Sequence, residues 1–587
     1  GLGRSGHFIT IPEVPADYYL FGKALGGNLA KIAAVIIDEN RYQVDFQPHF
    51  VSTFANGGLA AKVALKTLEI IDREKLADKA LHSGRFLMRQ LLELKTKYPE
   101  IIHQVRGKGL IAGIEFTNFG QRTTLLLRSF CLAERAGYIY ATYLLRQHGI
   151  RLFPSLSSPN TLRLEPSAYV TKAEIVSVKN ALDQLCNLLQ RKAFYQLLKP
   201  LMDEDPFKDN KGSGAKEGLI FTDIEDPAPN AVHIAFIGHF AYVTEELRAL
   251  ESDLAQASDT GLHILFNKIQ ELLEMKPMTI FSKNIFNNRI YFAFYALPVD
   301  AATLERMHLD GKRRKVIEKI QKCVEFVVDK GAEIVSLGGY NSILTNNALS
   351  LVAPDNVKLI SGNTLTVATG IRHLLLHIQY NTNFPKRPNL VVVGAGGNIG
   401  SAVVQYFVSN PSGIKKIILL GRKRNKLQRT LDSINRNGRA TSPHLEISTD
   451  MSDCKQGDLI IIATNTNVPI LFPHHIGSGR QVIISDVSIP SAVSKEVREM
   501  PGIDILPFAA YVSLPEDPEL KISSHTPAGT SFCCAAEAMI CALVPNDLQL
   551  KGPINPSEVI SMMSMAEQLG FYESIGPIKS FKAKQPA

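Results

Sequence analysis

The 587-residue chain lacks the marks of several protein classes. It has no run of about eighteen apolar residues, so no transmembrane segment is expected. It has no Lys/Arg block long enough to argue for nucleic acid as a partner. Its seven cysteines are odd in number and scattered. That excludes a disulfide framework and points to a reducing, cytoplasmic compartment. No metal site is expected. The formal charge of +8 is modest over this length. It permits an acidic partner or a phosphorylated cofactor without demanding one. The opening, "GLGRSGHF", begins without Met and has no signal-peptide grammar. It reads as the interior of a domain, so the chain is expected to be a fragment.

What is present is an ordinary globular composition, 45% hydrophobic and 20% charged. The length suits about three to four domains. Residues 1–195 alternate short apolar runs with helical patterns, ending in the amphipathic "TKAEIVSVKNALDQLCNLLQ". Residues 196–230 are polar, charged and rich in Gly and Pro, and are expected to be a linker. A second body runs from 231 to 387, and a third from 388 to 550. Residues 551–587 are expected to form a C-terminal helix and tail. In the third body, "NLVVVGAGGNIG", "KKIILLGRKRNKL", "DLIIIATNTN" and "RQVIISDVS" alternate buried-strand runs with helices. That is the pattern of a doubly wound parallel sheet, so the fold class is α/β.

"VVVGAGGNIGSAV" is a strand, a glycine turn and a helix start, in that order. A tight turn, close approach to a pyrophosphate and a helix N-terminus aimed at it all require missing side chains. Gly394, Gly396, Gly397, Asn398, Ile399 and Gly400 are therefore the candidate dinucleotide-binding residues. The next strand ends at Gly421-Arg422-Lys423. A site for NAD has an acidic residue there; a basic end suits a 2′-phosphate, so NADPH is the expected cofactor. The bland alternative is an exposed basic turn.

"TSFCCAAEAM", residues 530–539, places two cysteines at an expected helix start, with Thr530 or Ser531 as its cap. A cysteine in a first turn feels the positive end of the helix dipole, which favours the thiolate. Beside a reduced nicotinamide, such a thiolate suggests reduction through a covalent thioester. Cys534 shares a face with Ala538 and Cys541, all small residues that leave room for an acyl chain. Cys533 faces elsewhere and is expected to be structural, as is His239; His525 is not counted as catalytic.

Residues 232–575 resemble the cyanobacterial long-chain acyl–acyl carrier protein reductases. The segments that carry the resemblance are "IAFIGHF", "SLGGYNSIL", "SGNTLTVATGI", "GAGGNIGSAV", "GRKRNKL" and "SFCCAAEAM", in the family's order. The resemblance implies that Cys534 is the nucleophile, and that the substrate is an acyl thioester of an acyl carrier protein or of coenzyme A. The product would be an aldehyde. The "LGGYNSI" and "SGNTLT" segments look like backbone-donor loops near the cleft.

"ADYYLFGKALGGNLAKIAAV" sets Lys23 among apolar residues and glycines, where desolvation can make a lysine a usable amine nucleophile. This segment, with "FVSTFANGGLAAKVALKTLEII", "VRGKGLIAGIEF" and "TLRLEPSAYVT", resembles the class III aminotransferases that use pyridoxal phosphate. The resemblance implies the C-terminal portion of a fold-type I transferase. Lys23 would bind the cofactor covalently and shuttle protons. Thr53 would hold its phosphate across a homodimer interface. Arg163 would hold the carboxylate of an amino-acid donor. The family's ring-nitrogen aspartate, stacking aromatic and phosphate loop lie upstream of its lysine and are not in this chain, which by itself is not expected to bind the cofactor well.

The combined expectation is a bifunctional enzyme that reduces an acyl thioester to an aldehyde and then transaminates the aldehyde to an amine. The rivals are a reductase with a silent aminotransferase scaffold, an NADP oxidoreductase of shikimate-dehydrogenase or glutamyl-transfer-RNA-reductase type, and an NADPH-sensing binding protein.

Overall fold

The computed structural model describes residues 2–45, 57–119, 123–202, 223–380, 384–410, 413–436, 443–466, 468–488, 491–506, 511–523 and 526–572. The chain divides into two compact units. One holds Gly1–Lys211 with Gln256–Leu265, the other Gly212–Ala255 with Phe266–Ala587. No helix among the described residues is long and apolar enough to cross a membrane.

In the first unit, a four-stranded antiparallel sheet runs in the order Ile102–Lys108, Ile111–Phe116, Ser158–Leu164, Phe153–Ser155. The long helix Leu76–Lys97 packs on the first of these strands and on helix Lys172–Gln190. Leu87, Leu91 and Leu94 recur at helical spacing on one face of the long helix, and all are buried. Ile114, Phe116, Leu162, Leu182 and Leu185 are buried in the same unit. The amphipathic stretch seen in the sequence is helix Lys172–Gln190 itself. Thr171 caps it, in a reciprocal box with Glu174. A separate hairpin pairs Tyr18–Phe21 with Ala34–Ile37.

The expected linker is narrower than its composition suggests. Helix Phe194–Leu198 buries Leu197 and Leu198, and Met202 is buried after it. On the other side, Ile224 bridges to Ser282, and Asn284 donates its backbone N–H to Glu225 at 2.8 Å. Residues 203–222 lie outside the described residues.

The second unit holds two sheets. In the first, the order is Lys358–Ile360, Ile334–Leu337, Val232–Phe240, Ile290–Asp300, Met278–Ile285. Its strands are parallel except the last, which runs against Ile290–Asp300. The second sheet is six-stranded and wholly parallel, in the order His444–Ser448, Lys416–Leu420, Asn389–Val393, Leu459–Ile462, Val482–Asp486, Ile503–Ile505. Numbered along the chain this order is 3-2-1-4-5-6, the dinucleotide-binding arrangement. Its central strands are buried along nearly their whole length, which is why they read as unbroken apolar runs. The order reverses between Asn389–Val393 and Leu459–Ile462, and the crevice at that reversal is where such sheets bind ligands.

After Ile505 the chain returns to the first sheet. Strand Thr530–Phe532 pairs with Tyr511–Ser513 and leads straight into helix Cys533–Leu543. That helix packs on strands Ile334–Leu337 and Val232–Phe240 and on helix Thr364–Tyr380. The cysteine helix, though it follows the glycine turn in sequence, is thus part of the first sheet's layer by packing.

Candidate active site

The glycine turn has the sterics that its sequence promised. Gly394 has φ +89°, and a Cβ on it would stand 2.2 Å from the Ala463 carbonyl oxygen. A Cβ on Gly400 would stand 2.3 Å from the Gly394 carbonyl oxygen. Strand, turn and helix are therefore locked together only while both positions are glycine. Gly397 is the N-cap of helix Asn398–Ser409 and supplies no side-chain cap. The first N–H groups of that helix stay available to an anion. Gly396 lies beside Lys426, with 3.0 Å between the Lys426 Cβ and the place a Cβ would occupy. Ile399, in the first turn, offers only backbone to a phosphate. Arg422 and Lys423 are exposed, just past the end of the neighbouring strand Lys416–Leu420. These residues fit a phosphorylated dinucleotide.

Asn398 behaves differently from its neighbours. Its amide nitrogen donates to the Gly552 carbonyl at 3.4 Å, and its oxygen accepts the Ile554 N–H at 3.2 Å. The side chain is thus committed to the segment that precedes helix Pro556–Gln568. The same segment accepts the Ser361 N–H at Leu550, 2.9 Å, and donates Gly552 N–H to Asn347, 2.8 Å.

The cysteines lie where the parallel strands of the first sheet end. Three loops converge there: Gly338–Tyr340 after strand Ile334–Leu337, Ser361–Asn363 after Lys358–Ile360, and His239–Phe240 closing Val232–Phe240. A Cβ on Gly362 would stand 2.4 Å from Cβ of Cys534. Ser336 donates its hydroxyl to the Cys534 carbonyl at 2.5 Å. Cys534 is partly exposed, and Cys533 is fully buried with its thiol donating to Thr369 Oγ1 at 3.5 Å.

Two expectations about the thiol need correction. Neither Thr530 nor Ser531 caps the helix. Thr530 donates to the Pro527 carbonyl and Ser531 to that of Phe532, and Phe532 occupies the N-cap. Nor does the helix start hold a ready thiolate. Burial pushes the Cys534 thiol up to about 12, and the charge of Glu537 adds to that. The N–H groups of Cys534, Ala535 and Gly339 face the sulfur and offset the shift only in part. Desolvation here outweighs the helix end.

Tyr340, inside an expected backbone-donor loop, and Glu537 were given no role of their own in the sequence, and His239 was expected to be structural. Tyr340 donates its hydroxyl to the Asn465 carbonyl, joining the loop beside Cys534 to the loop after strand Leu459–Ile462. The cofactor crevice and the thiol are thereby tied side by side. His239 accepts the Tyr340 N–H at Nε2, 2.9 Å, and pairs Nδ1 with the Phe240 carbonyl, 2.9 Å. Both ring nitrogens are used in holding the loop, and burial lowers its pKa. Glu537 is fully buried, one turn along the cysteine helix. The Gly-Gly pair at 338–339 and the lone Gly362 were the signals available for the loops; Glu537 was visible only as the glutamate of the "SFCCAAEAM" segment.

In the first unit the expected site residues are not assembled. Lys23 is exposed in a short 3-10 turn after the hairpin's first strand, rather than desolvated. Two of the apolar residues near it in sequence are open to solvent, Leu20 at 80% and Leu29 at 86%, whereas Leu25 is buried. Arg163 is exposed and forks onto Glu165, Nη2 to Oε1 at 2.5 Å. Thr53 and His525 lie outside the described residues. Among the described residues no cradle for pyridoxal phosphate is formed around Lys23.

Residues 1–186 match the family described as aminotransferase class-III. The mitochondrial ornithine aminotransferase of Arabidopsis thaliana is 30% identical over 191 residues, 32% of this chain and 37% of that protein. The chain carries a class III aminotransferase domain. The acetylornithine aminotransferase of Elizabethkingia anophelis is 24% identical over 32% of this chain and 45% of its own, with a TM-score of 0.26. The ornithine δ-aminotransferase of Plasmodium falciparum is 22% identical over 33% and 46%, also at 0.26. Scores this low decide nothing by themselves. The chain spans less than half the length of these relatives. Residues 379–507 match the family described as shikimate/quinate 5-dehydrogenase, which covers the six-stranded sheet. The two matches imply pyridoxal phosphate for the first domain and NADP for the second.

Proposed function

We propose that the second unit reduces an acyl thioester to an aldehyde with NADPH, by way of an acyl group carried on Cys534. The observation that carries this reading is the juxtaposition of Cys534, a partly exposed residue, with the dinucleotide crevice, tied by Tyr340 to Asn465. The Cys534 sulfur attacks the thioester carbonyl. The bond from that carbonyl to the carrier's sulfur breaks, and the thiol proton of Cys534 leaves with the departing thiol. The N–H groups of Gly339 and Ala535, which face the sulfur, are the donors available to the acyl oxygen next to it. NADPH, when bound, supplies a hydride to the acyl carbon. The carbon–sulfur bond then breaks, the aldehyde departs, and Cys534 regains a proton. The carrier is an acyl carrier protein or coenzyme A.

The aminotransferase domain takes that aldehyde as amino acceptor from an amino-acid donor. A reactive aldehyde made on the same chain as its consumer is spared side reactions. Lys23 and Arg163 are the residues proposed to serve it, with Thr53 acting across a homodimer. The exposure of Lys23 means that this half rests on the family match rather than on a built cradle.

A second reading is favoured by the match to shikimate/quinate 5-dehydrogenase: direct hydride transfer to a carbonyl with no covalent step. That match ends at residue 507, before the cysteine helix, so it bears on the cofactor and not on the chemistry. Oxidation of NADPH by long-chain acyl-coenzyme A and acyl carrier protein, with the aldehyde trapped and measured, separates the two. The thioester route loses all turnover in Cys534→Ala. Turnover of either thioester that survives Cys534→Ala sinks the covalent route.

A further inference from the structure

Glu537 has no solvent exposure, and it sits three residues beyond Cys534 on the same helix. Its Oε2 accepts the Leu365 N–H at 2.7 Å. The N–H groups of Thr364 and Gly362 also favour its charged form. The carboxyl therefore closes the start of helix Thr364–Tyr380, a helix end that would otherwise leave its donors bare. The other oxygen, Oε1, is buried and has no hydrogen-bond partner among the described residues. A buried carboxylate with one bare oxygen is costly, whereas a carboxylic acid that keeps its proton is far less so. The turn held in this way carries Gly362, whose Cα backs onto Cys534.

We propose that Glu537 is a positioning residue for Cys534: it fastens the 361–365 turn against the cysteine helix, and its own charge decides how readily the thiol ionises. With Glu537 neutral, the sulfur has backbone N–H groups from Gly339 and Ala535 and no anion beside it. With Glu537 ionised, a like charge in a dry setting opposes the thiolate. Burial raises the Glu537 carboxyl to about 7, which puts the change inside the working range of pH.

The other titratable groups around the pair are few. Cys533 is tied to Thr369, which also meets the Tyr572 hydroxyl. Cys541, on the same helix, faces Lys358 and Asn546. Glu558, from helix Pro556–Gln568, adds a negative charge that acts on Glu537. His239 faces Gly339 and Tyr340 from strand Val232–Phe240. Of these, Glu537 alone combines complete burial, a bare oxygen and a charge that acts on Cys534.

The test is the rate of Cys534 alkylation by iodoacetamide against pH, read by intact mass in the full chain, with Cys534→Ala as background. It needs neither thioester nor NADPH, so its outcome is separate from that of the reductase reading. The wild type is expected to gain tenfold per pH unit below about pH 6 and again above about pH 8, with a step between where the gain is smaller. Glu537→Gln is expected to follow one line without a step. It should coincide with the wild type at low pH and react about tenfold faster above the step. A wild-type profile without a step overturns the proposal, and so does a step that persists in Glu537→Gln. If Glu537→Gln does not fold, the presence or absence of the step in the wild type decides.

Discussion

Gly362 and Cys534 are packed so closely that the backbone of one is the wall of the other. A Cβ on Gly362 would stand 2.4 Å from the Cys534 Cβ and 2.9 Å from the Leu337 carbonyl oxygen, and its φ is +75°. Gly362→Ala is therefore expected to displace the cysteine helix. We expect at least a tenfold loss of Cys534 alkylation rate. Gly479→Ala is the control: its φ is also +75°, but nothing lies within 4 Å of the added carbon. It should cost only about 1–2 kcal/mol of stability and leave alkylation unchanged. Equal effects from both would mean that backbone strain, not the contact with Cys534, governs.

Arg422, exposed just past strand Lys416–Leu420, is the residue proposed to meet the 2′-phosphate. Arg422→Glu is expected to raise the Kd for NADPH at least tenfold while changing that for NADH less than threefold. Titration of the two reduced cofactors by fluorescence checks it. Equal losses for both would assign Arg422 a role other than choosing the phosphate.

Asn398 lies in the cofactor turn by sequence, yet its side chain holds Gly552 and Ile554. Asn398→Ala is expected to cost about 1–2 kcal/mol of stability, the loss of two hydrogen bonds. It should leave the Kd for NADPH within threefold, because it is the backbone N–H that is proposed to serve the phosphate. Urea melts and the same fluorescence titration decide between these roles. A large loss of affinity at unchanged stability would return the side chain to the cofactor.

Two buried carboxyls set the direction of pH dependence. Burial raises Glu537 to about 7 and Glu246 to about 8, from an ordinary 4.5. Between 4.5 and those values the folded chain keeps protons that the unfolded chain has lost. Their contribution is thus complete below pH 4.5 and is lost as pH rises toward 7 and 8. Glu537→Gln removes one of these groups. Its stability should fall less than that of the wild type between about pH 5 and pH 7.5, by about 2 kcal/mol. Urea melts at the two pH values measure this difference, and identical slopes would show Glu537 to be ionised throughout.

The sequence and the structure agree where the cause is local. The glycine turn was legible because a tight turn before a helix leaves no room for side chains. The parallel strands were legible because burial on both faces makes unbroken apolar runs. The cysteine helix start was placed to within a few residues, although its cap was not. What was not legible depends on distant parts of the chain meeting. Glu537 binds Leu365 across 172 positions of sequence. No local pattern announces that contact, nor Gly362 against Cys534. The sign of the Cys534 shift was misjudged for the same reason. A helix start is visible in sequence, but the loops that bury the sulfur belong to other strands. Lys23 illustrates the converse: apolar neighbours in sequence did not bury it, and Leu20 and Leu29 stand in solvent beside it.

The central claim is that an acyl group passes through Cys534. The most direct measurement is intact mass after mixing the full chain with a long-chain acyl-coenzyme A or acyl carrier protein thioester, without NADPH. The wild type should gain the mass of one acyl group and Cys534→Ala should gain none. The adduct should discharge as aldehyde when NADPH is added. An adduct that persists in Cys534→Ala but vanishes in Cys533→Ala would put the chemistry on the neighbouring thiol. No adduct on any variant, with NADPH bound normally, would contradict the covalent route and favour direct hydride transfer.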